Sequence, residues 1–570
     1  MFTRSIRRRS ILVLGLITTM LAMLLGACGD TATAVPAATT SAPTAATSTT
    51  AASATTAAGT ATTASSAATT AAGAVTSATA ATSGTTAAPT ATLTIANNSG
   101  PQSLDPAIAG QIDLNFLQPT YASLLKPDKD GKLVGELATD WKYVGEGNKK
   151  FQVTIRQGVK FADGTPVTAK AVADSLNYFS QHGTGPSAGT MKTITTTVID
   201  DKTVELNNSV PNNSLPDFLS TRFLAGMIIS PAGLADPTKL KSQSAGAGQY
   251  IIDTANTLAN DHYTFVPNPN YFDQSQIHWK QIVVKIIPNI TSAVQAIQQG
   301  QVDVVTGDPT TLNTAKSAGL NIVQTSNAWV GIFLLDIDGK VTPALKDVKV
   351  RQALNYAIDR NQIAKALYGD LASSIMQPNT PGQDAFDPSL ENTYAYDVNK
   401  AKQLLAEAGF ADGFSFDVVH LTPDTQTTKM LQAVAGQLSQ IKVQMKLVES
   451  TDVAALVTNF QSLKYASFSL AWGGQSQFAN TNQVWLKNSP VNPFHYEVTG
   501  LQDAFDKYVA APQDQRVAAA QAVTKIIVDQ ALTIPVVKIS GLTYVSKKVT
   551  GVAPIPGFDL TYPTDWTPAS

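Results

Sequence analysis

Phe414-Ser415-Phe416-Asp417-Val418, Val443-Gln444-Met445-Lys446-Leu447 and Phe468-Ser469-Leu470-Ala471-Trp472 are three short runs in which apolar residues sit at every second position. That period marks half-buried strands. Between the first two lies a stretch, Thr425 to Leu438, that reads as a helix, and one more helix precedes the third run. Upstream, Asp397 is placed to cap a helix carrying Ala401, Leu404, Leu405 and Ala408, which Gly409 ends. The order β-α-β-α-β predicts an α/β fold, with a parallel or mixed sheet covered by helices on both faces. Ligands of such sheets bind beyond the carboxyl ends of strands, and the segment after Ala471 is such an end.

The same logic extends towards the amino terminus. Phe151-Gln152-Val153-Thr154-Ile155 alternates like a strand, and Thr168 is placed to cap a helix with Val172, Leu176 and Phe179 on one face. Ile282 to Ile287 suits a buried strand. A helix with Ile290, Val294 and Ile297 follows, Gly300 stops it, and Val302 to Val305 reads as the next strand, completing a βαβ unit. Gly331 to Leu335 reads as a strand, and Val350, Leu354, Ala357 and Ile358 mark a helix face. There is no short internal repeat.

The first ninety residues differ in kind. Arg4, Arg7, Arg8 and Arg9 precede an uncharged apolar run, Ile11 to Leu25, of 15 residues. That is short for a membrane span, which needs about 20, and fits a secretory leader. Leu25-Gly26-Ala27-Cys28 resembles a bacterial lipobox, which implies cleavage before Cys28 and diacylation of its sulfur. From Thr31 to about Thr92 the chain is nearly all Ala, Thr and Ser, with no charge between Asp30 and Asp105. Such a segment has too little apolar surface to offset its ordering entropy and reads as a disordered tether. The expected order is therefore leader 1–27, then lipidated Cys28 and tether to residue 92.

Composition narrows the function. The 570 residues allow two to four domains, only 14% are charged, and the formal net charge is −2. No lysine- or arginine-rich run follows Arg9, so a nucleic-acid partner is not expected. One cysteine excludes disulfides within the chain and multi-cysteine metal centres, and five scattered histidines argue against a zinc enzyme. H-E-x-x-H and P-loop motifs are absent, so neither catalysis nor a cofactor is expected.

Further blocks carry a resemblance. They are Ser103-Leu104-Asp105-Pro106, Tyr121-Ala122-Ser123-Leu124-Leu125, and Leu137-Ala138 with Trp141. Lys160-Phe161-Ala162-Asp163-Gly164-Thr165-Pro166-Val167-Thr168-Ala169 and Gly246-Ala247-Gly248-Gln249-Tyr250 follow. The last are Val350 to Arg360 and Tyr396-Asp397 through Gly409-Phe410. In this order they resemble the extracellular solute-binding proteins of ABC importers, in the class with oligopeptide-, dipeptide- and nickel-binding members. The resemblance implies a two-lobed periplasmic-binding-protein-like fold (type II, three-region class) with a hinge and an interlobe ligand cleft. It implies a first lobe of 93–133, 245–335 and 533–570, an inserted region 134–244 and a second lobe 336–532, with crossings near 335 and 533. It further implies an extracytoplasmic receptor, held to the cell membrane through Cys28, that hands its ligand to ABC permease and ATPase subunits.

In peptide-binding members a W-x-x-D-Y motif follows a second-lobe strand, and its aspartate pairs with the ligand's ammonium. Here the stretch is Trp472-Gly473-Gly474-Gln475, with an amide in place of the acid, and Ala122 replaces the acid of the family's Y-E-G-L. The candidate ligand contacts are Trp472, Gly473, Gly474, Gln475, Trp329, Asn327, Tyr121, Ser123 and Lys538. Each has a plainer reading: core packing for Trp472 and Trp329, a solvated surface for Lys538. Trp141 and Trp485 read as structural. The ligand is expected to be an oligopeptide or similar small polar solute. An oligosaccharide, a metal chelate reached by His420 or His495, or a non-transport surface receptor are the alternatives.

Overall fold

The computed structural model describes residues 89–473, 476–558 and 560–570, without the side chains of residues 185, 186, 326 and 327. The expected leader, Cys28, nearly all of the tether, and the candidates Gly474 and Gln475 lie outside the described residues. Among the described residues no helix is long and apolar enough to cross a membrane.

The three alternating runs form strands Phe414–Leu421, Val443–Ser450 and Ser467–Gly473, the first parallel to both others. Helix Thr425–Leu438 joins the first two, and the Asp424 carboxylate caps it by accepting the Thr427 N–H at 2.9 Å. Asp397 caps helix Val398–Glu407 in the same way. Nearer the amino terminus, Gln281–Ile286, helix Ile290–Gln298 and Val304–Gly307 form the expected βαβ unit, with its last strand two residues later than the sequence suggests. Thr92–Asn97 inserts between the two strands and pairs in parallel with both.

These pieces share one mixed sheet of 11 strands. Its spine is a pair of long antiparallel strands, Asn321–Leu334 and Thr533–Val545. At about 3.4 Å per residue each runs for ~45 Å. Over Asn321–Thr325 the pair lies beside Val304–Gly307, which bonds to Leu542–Val545. Over Ala328–Leu334 it lies beside Ser467–Gly473. The two ends therefore belong to different lobes. Pairing slips between Ser326 and Ala328, with Asn327 at the slip, and again between Val330 and Gly331. The sequence reading began this strand at Gly331, after Trp329. It begins ten residues earlier because the polar run Gln324 to Ser326 has partners on the neighbouring strand and does not depend on alternation to hold it.

The block Val350 to Arg360 clamps the second long strand. It is two helices, Val348–Tyr356 and Arg360–Tyr368, so Ala357 and Ile358 fall in the turn between them rather than on one helix face. The Arg351 guanidinium donates to the Gln530 carbonyl, the Asn355 amide to Thr533 and Arg360 Nε to Pro535. Burial pulls the Arg360 pKa down to about 10.

The expected insertion, 134–244, contains a four-stranded antiparallel sheet, Ala138–Val144, Lys150–Ile155, Thr203–Asn208 and Ile194–Asp200, packed on helix Ala169–His182. Thr168 caps that helix by accepting the Ala171 N–H at 3.2 Å. The diagnostic block before it is a tight turn in which Gly164 has φ of +83° and Phe161 is fully buried. Separate apolar cores fill residues 107–247, the sheet of the first lobe, and residues 329–537.

Gly331 is the close approach in the spine: a Cβ there would lie 2.2 Å from the Ile534 carbonyl oxygen. Gly331→Ala should therefore destabilise by about 1–3 kcal/mol, seen as a lowered Tm in a thermal melt.

Candidate functional site

Directly opposed residues of neighbouring strands put their side chains on one face of a sheet. Trp472 is opposite Trp329, Trp329 is opposite Lys538, and Lys538 is opposite Ser373. Three of the sequence candidates thus form one lateral row across the spine. Trp329 is fully buried, Trp472 is 3% exposed and Lys538 is half-buried. Phe333 holds both rings, 4.9 Å from Trp329 and edge-on at 5.6 Å to Trp472. The Trp472 indole donates to Asn480 Oδ1 at 2.9 Å, whereas Trp329 Nε1 has no partner among the described residues.

Helix Gln477–Val484 closes this end of the row. Ser476 caps it by accepting the Ala479 N–H at 3.3 Å. Gln477, Asn480 and Thr481, at i, i+3 and i+4, share its buried face, none more than 1% exposed. Among the described residues both amide atoms of Gln477 and the hydroxyl of Thr481 are unpartnered. Buried polar atoms are normally satisfied, and leaving one unpaired costs about 1–3 kcal/mol. The sequence reading stopped at Gln475 and did not assign these three residues. Their signal was a polar triad at helical spacing directly behind Trp-Gly-Gly.

The other candidates lie elsewhere. Tyr121 is buried in the inserted region's core, its hydroxyl donating to the Leu104 carbonyl at 2.9 Å and accepting the Ala245 N–H at 3.1 Å. The Ser123 N–H donates to Glu136 Oε2 at 2.7 Å and its Oγ is unpartnered. Neither hydrogen-bonds to the row. Lys538 has no carboxylate within ion-pair distance among the described residues. Burial pushes the Glu391 carboxyl up, against a hydrogen bond from Gln377 and the charge of Lys538. His420 is buried beside the Thr428 hydroxyl, and Trp485 is buried in the second lobe's core.

A cavity of about 1050 Å³ opens beside this helix. One wall is Trp141, Tyr143, Arg222 and Phe223, the other Gln383, Asp384 and Ser476, and Pro556 to Phe558 complete it. Trp141, read as structural, is half-buried on its wall. Polar bonds cross from the inserted region to the second lobe along its edge. Asn148 Nδ2 donates to the Val509 and Ala511 carbonyls at 3.0 and 2.8 Å, and Asn213 Nδ2 donates to Tyr508. Arg516 joins Asp217 on one side to Asp384 on the other, the latter at 3.0 Å. Burial pushes the Asp217 carboxyl up, against the pull of Arg516.

A model of bacterial extracellular solute-binding proteins, family 5, matches residues 132–492. The chain belongs to this family. As a family 5 solute-binding protein it is 26% identical over 463 residues to a probable D,D-dipeptide-binding periplasmic protein of Escherichia coli, covering 77% of this chain and 87% of the relative. It is 24% identical over 472 residues to heme-binding protein A of Haemophilus influenzae, covering 75% and 83%. Among solved structures, HbpA2 of Haemophilus parasuis superposes with a TM-score of 0.73 at 21% identity, covering 84% of this chain and all of that one. The unliganded open form of the periplasmic murein tripeptide-binding protein MppA gives 0.71 at 19%, covering 84% and 98%. The fold is the two-lobed periplasmic-binding-protein architecture.

Two outcomes follow from the polar contacts. Arg516→Ala strands Asp217 and Asp384, and should loosen the contact between the inserted region and the second lobe. Small-angle scattering should then show a larger radius of gyration, and wild-type dimensions would refute the contact's role. Burial raises Glu136 to about 7. A carboxyl whose folded pKa lies above its unfolded value contributes stability that is complete below the unfolded pKa and lost as pH rises through the folded one. Wild-type Tm should therefore fall from pH 5 to pH 8 more than that of Glu136→Gln, the two curves converging near pH 5.

Proposed function

We propose that this chain is the substrate-binding subunit of an ABC importer, lipid-anchored through Cys28. It captures an oligopeptide or similar small polar solute by lobe closure and delivers it to a permease. ATP is hydrolysed by separate subunits, and no bond is made or broken in this chain. The lobes are taken as 93–133, 245–335 and 533–570 against 336–532, with 134–244 as the insertion. Separate apolar cores joined by two continuous strands support two lobes, although the core of residues 107–247 takes in part of 93–133 and the core of residues 329–537 takes in the strand ends 329–335 and 534–537. Closure is then a hinge motion about the long strands near the Asn327 slip.

The observation that carries this reading is the row Trp472–Trp329–Lys538, set against a helix face of unpaired polar atoms beside the slip in the spine. The rings lie in the second lobe's core, and a guest admitted when the lobes part would gain their aromatic faces and pair the polar atoms. Relatives whose names give peptides, glutathione or heme as ligands agree with a receptor role.

The test is titration of the full chain with a peptide digest and with the low-molecular-weight fraction of a boiled cell extract. Binding at a hundredfold excess over Kd stabilises by about 2.7 kcal/mol. We expect a raised Tm and a changed tryptophan emission, both weakened in Trp472→Ala. No change in either signal with any fraction would overturn the receptor reading.

A further inference from the structure

We infer that the row recognises a neutral amide and not an ammonium, so the preferred ligand is a peptide whose amino group is blocked or lies outside this subsite. The inference rests on the receptor reading above and adds the ligand's chemistry to it.

The unpaired atoms state what a guest must offer. Trp329 Nε1 is a donor only. Gln477 has a donor in Nε2 and an acceptor in Oε1, and the Thr481 hydroxyl serves as either. An ammonium brings donors and no acceptor. It would satisfy Gln477 Oε1 and leave the indole and Nε2 unpaired. It would also be an enclosed charge, and the charged member of the row, Lys538, carries the same sign. A carboxylate brings acceptors only and leaves Gln477 Oε1 unpaired. A peptide group brings both. Its carbonyl, with two lone pairs, can take one of the two donors or both, while its N–H meets Gln477 Oε1 in a two-point amide pair. The Trp472 indole, already donating to Asn480, does not compete for the guest. Lys538, at the half-buried end of the row, is placed for the ligand's carbonyl or carboxylate side.

The experiment is isothermal titration of the full chain with N-acetyl-trialanine, free-amine trialanine and maltotriose. The acetylated peptide should bind at least about tenfold more tightly than the free amine, the scale of one buried hydrogen-bonding group. Gln477→Leu should weaken the acetylated peptide by about ten- to a hundredfold with Tm unchanged or raised, because it deletes an amide that has no partner. Gln477→Glu keeps the shape, supplies a carboxylate, and should turn the preference towards the free amine. Equal or tighter binding of trialanine by the wild type, or acetyl-peptide affinity unmoved by Gln477→Leu, would overturn the inference. Maltotriose binding without either peptide, or no binding of all three probes, would overturn it too. The receptor reading fails separately, if the mixed fractions of the preceding test give no signal.

Discussion

Everything in this molecule hangs on the antiparallel pairing of two strands, Asn321–Leu334 with Thr533–Val545. Each carries one lobe's sheet at one end and the other's at the opposite end. A twin-stranded ribbon is stiff along its ladder and compliant where the ladder slips. The slips fall between Ser326 and Ala328 and between Val330 and Gly331, flanking Trp329. On the proposed reading, binding chemistry and hinge occupy the same few residues. A guest packed on the row would then sit on the element about which we propose the lobes close, which is the coupling a capture protein needs.

Much of the remaining structure keeps that ribbon in place. Arg351, Asn355 and Arg360 are aimed at carbonyls of Gln530, Thr533 and Pro535. Their burial draws on hydrogen-bonded backbone rather than on counter-ions. The blocks that make the family recognisable do similar scaffolding work. Asp105 accepts the Tyr178 hydroxyl at 2.7 Å, Gly164 turns the chain, Thr168 and Asp397 cap helices, and Gly248 lets its backbone lie against Pro119 and Thr120. The proposed ligand contacts lie outside these blocks, consistent with one scaffold carrying relatives named for dipeptides, glutathione and heme.

The strands and helices with strong periodicity were legible from sequence, because burial on one face imposes period two or 3.6 and the caps punctuate it. Helix Thr425–Leu438 and strand Phe414–Leu421 are of this kind. The early part of the spine was not. Gln324 to Ser326 lack alternation, and their strand form comes from a partner more than two hundred residues away. The insertion of Thr92–Asn97 into the βαβ unit is likewise a long-range fact with no local trace. At the site, Trp472, Trp329 and Lys538 stood out as large or charged side chains near strand ends, but only the register shows that they are neighbours. Gln477 and Thr481 escaped notice because polar residues on a helix usually face water, and here they do not.

On the proposed reading, the folded protein holds a small solute non-covalently on the Trp329–Trp472 row and leaves it chemically unchanged. Native mass spectrometry of the full chain, purified gently from cells grown on peptide-rich medium, tests this directly. It should show an added small mass that leaves intact on denaturation and is reduced in Gln477→Leu. A bound species released in altered form, or one retained equally by Gln477→Leu and Trp472→Ala, would contradict it.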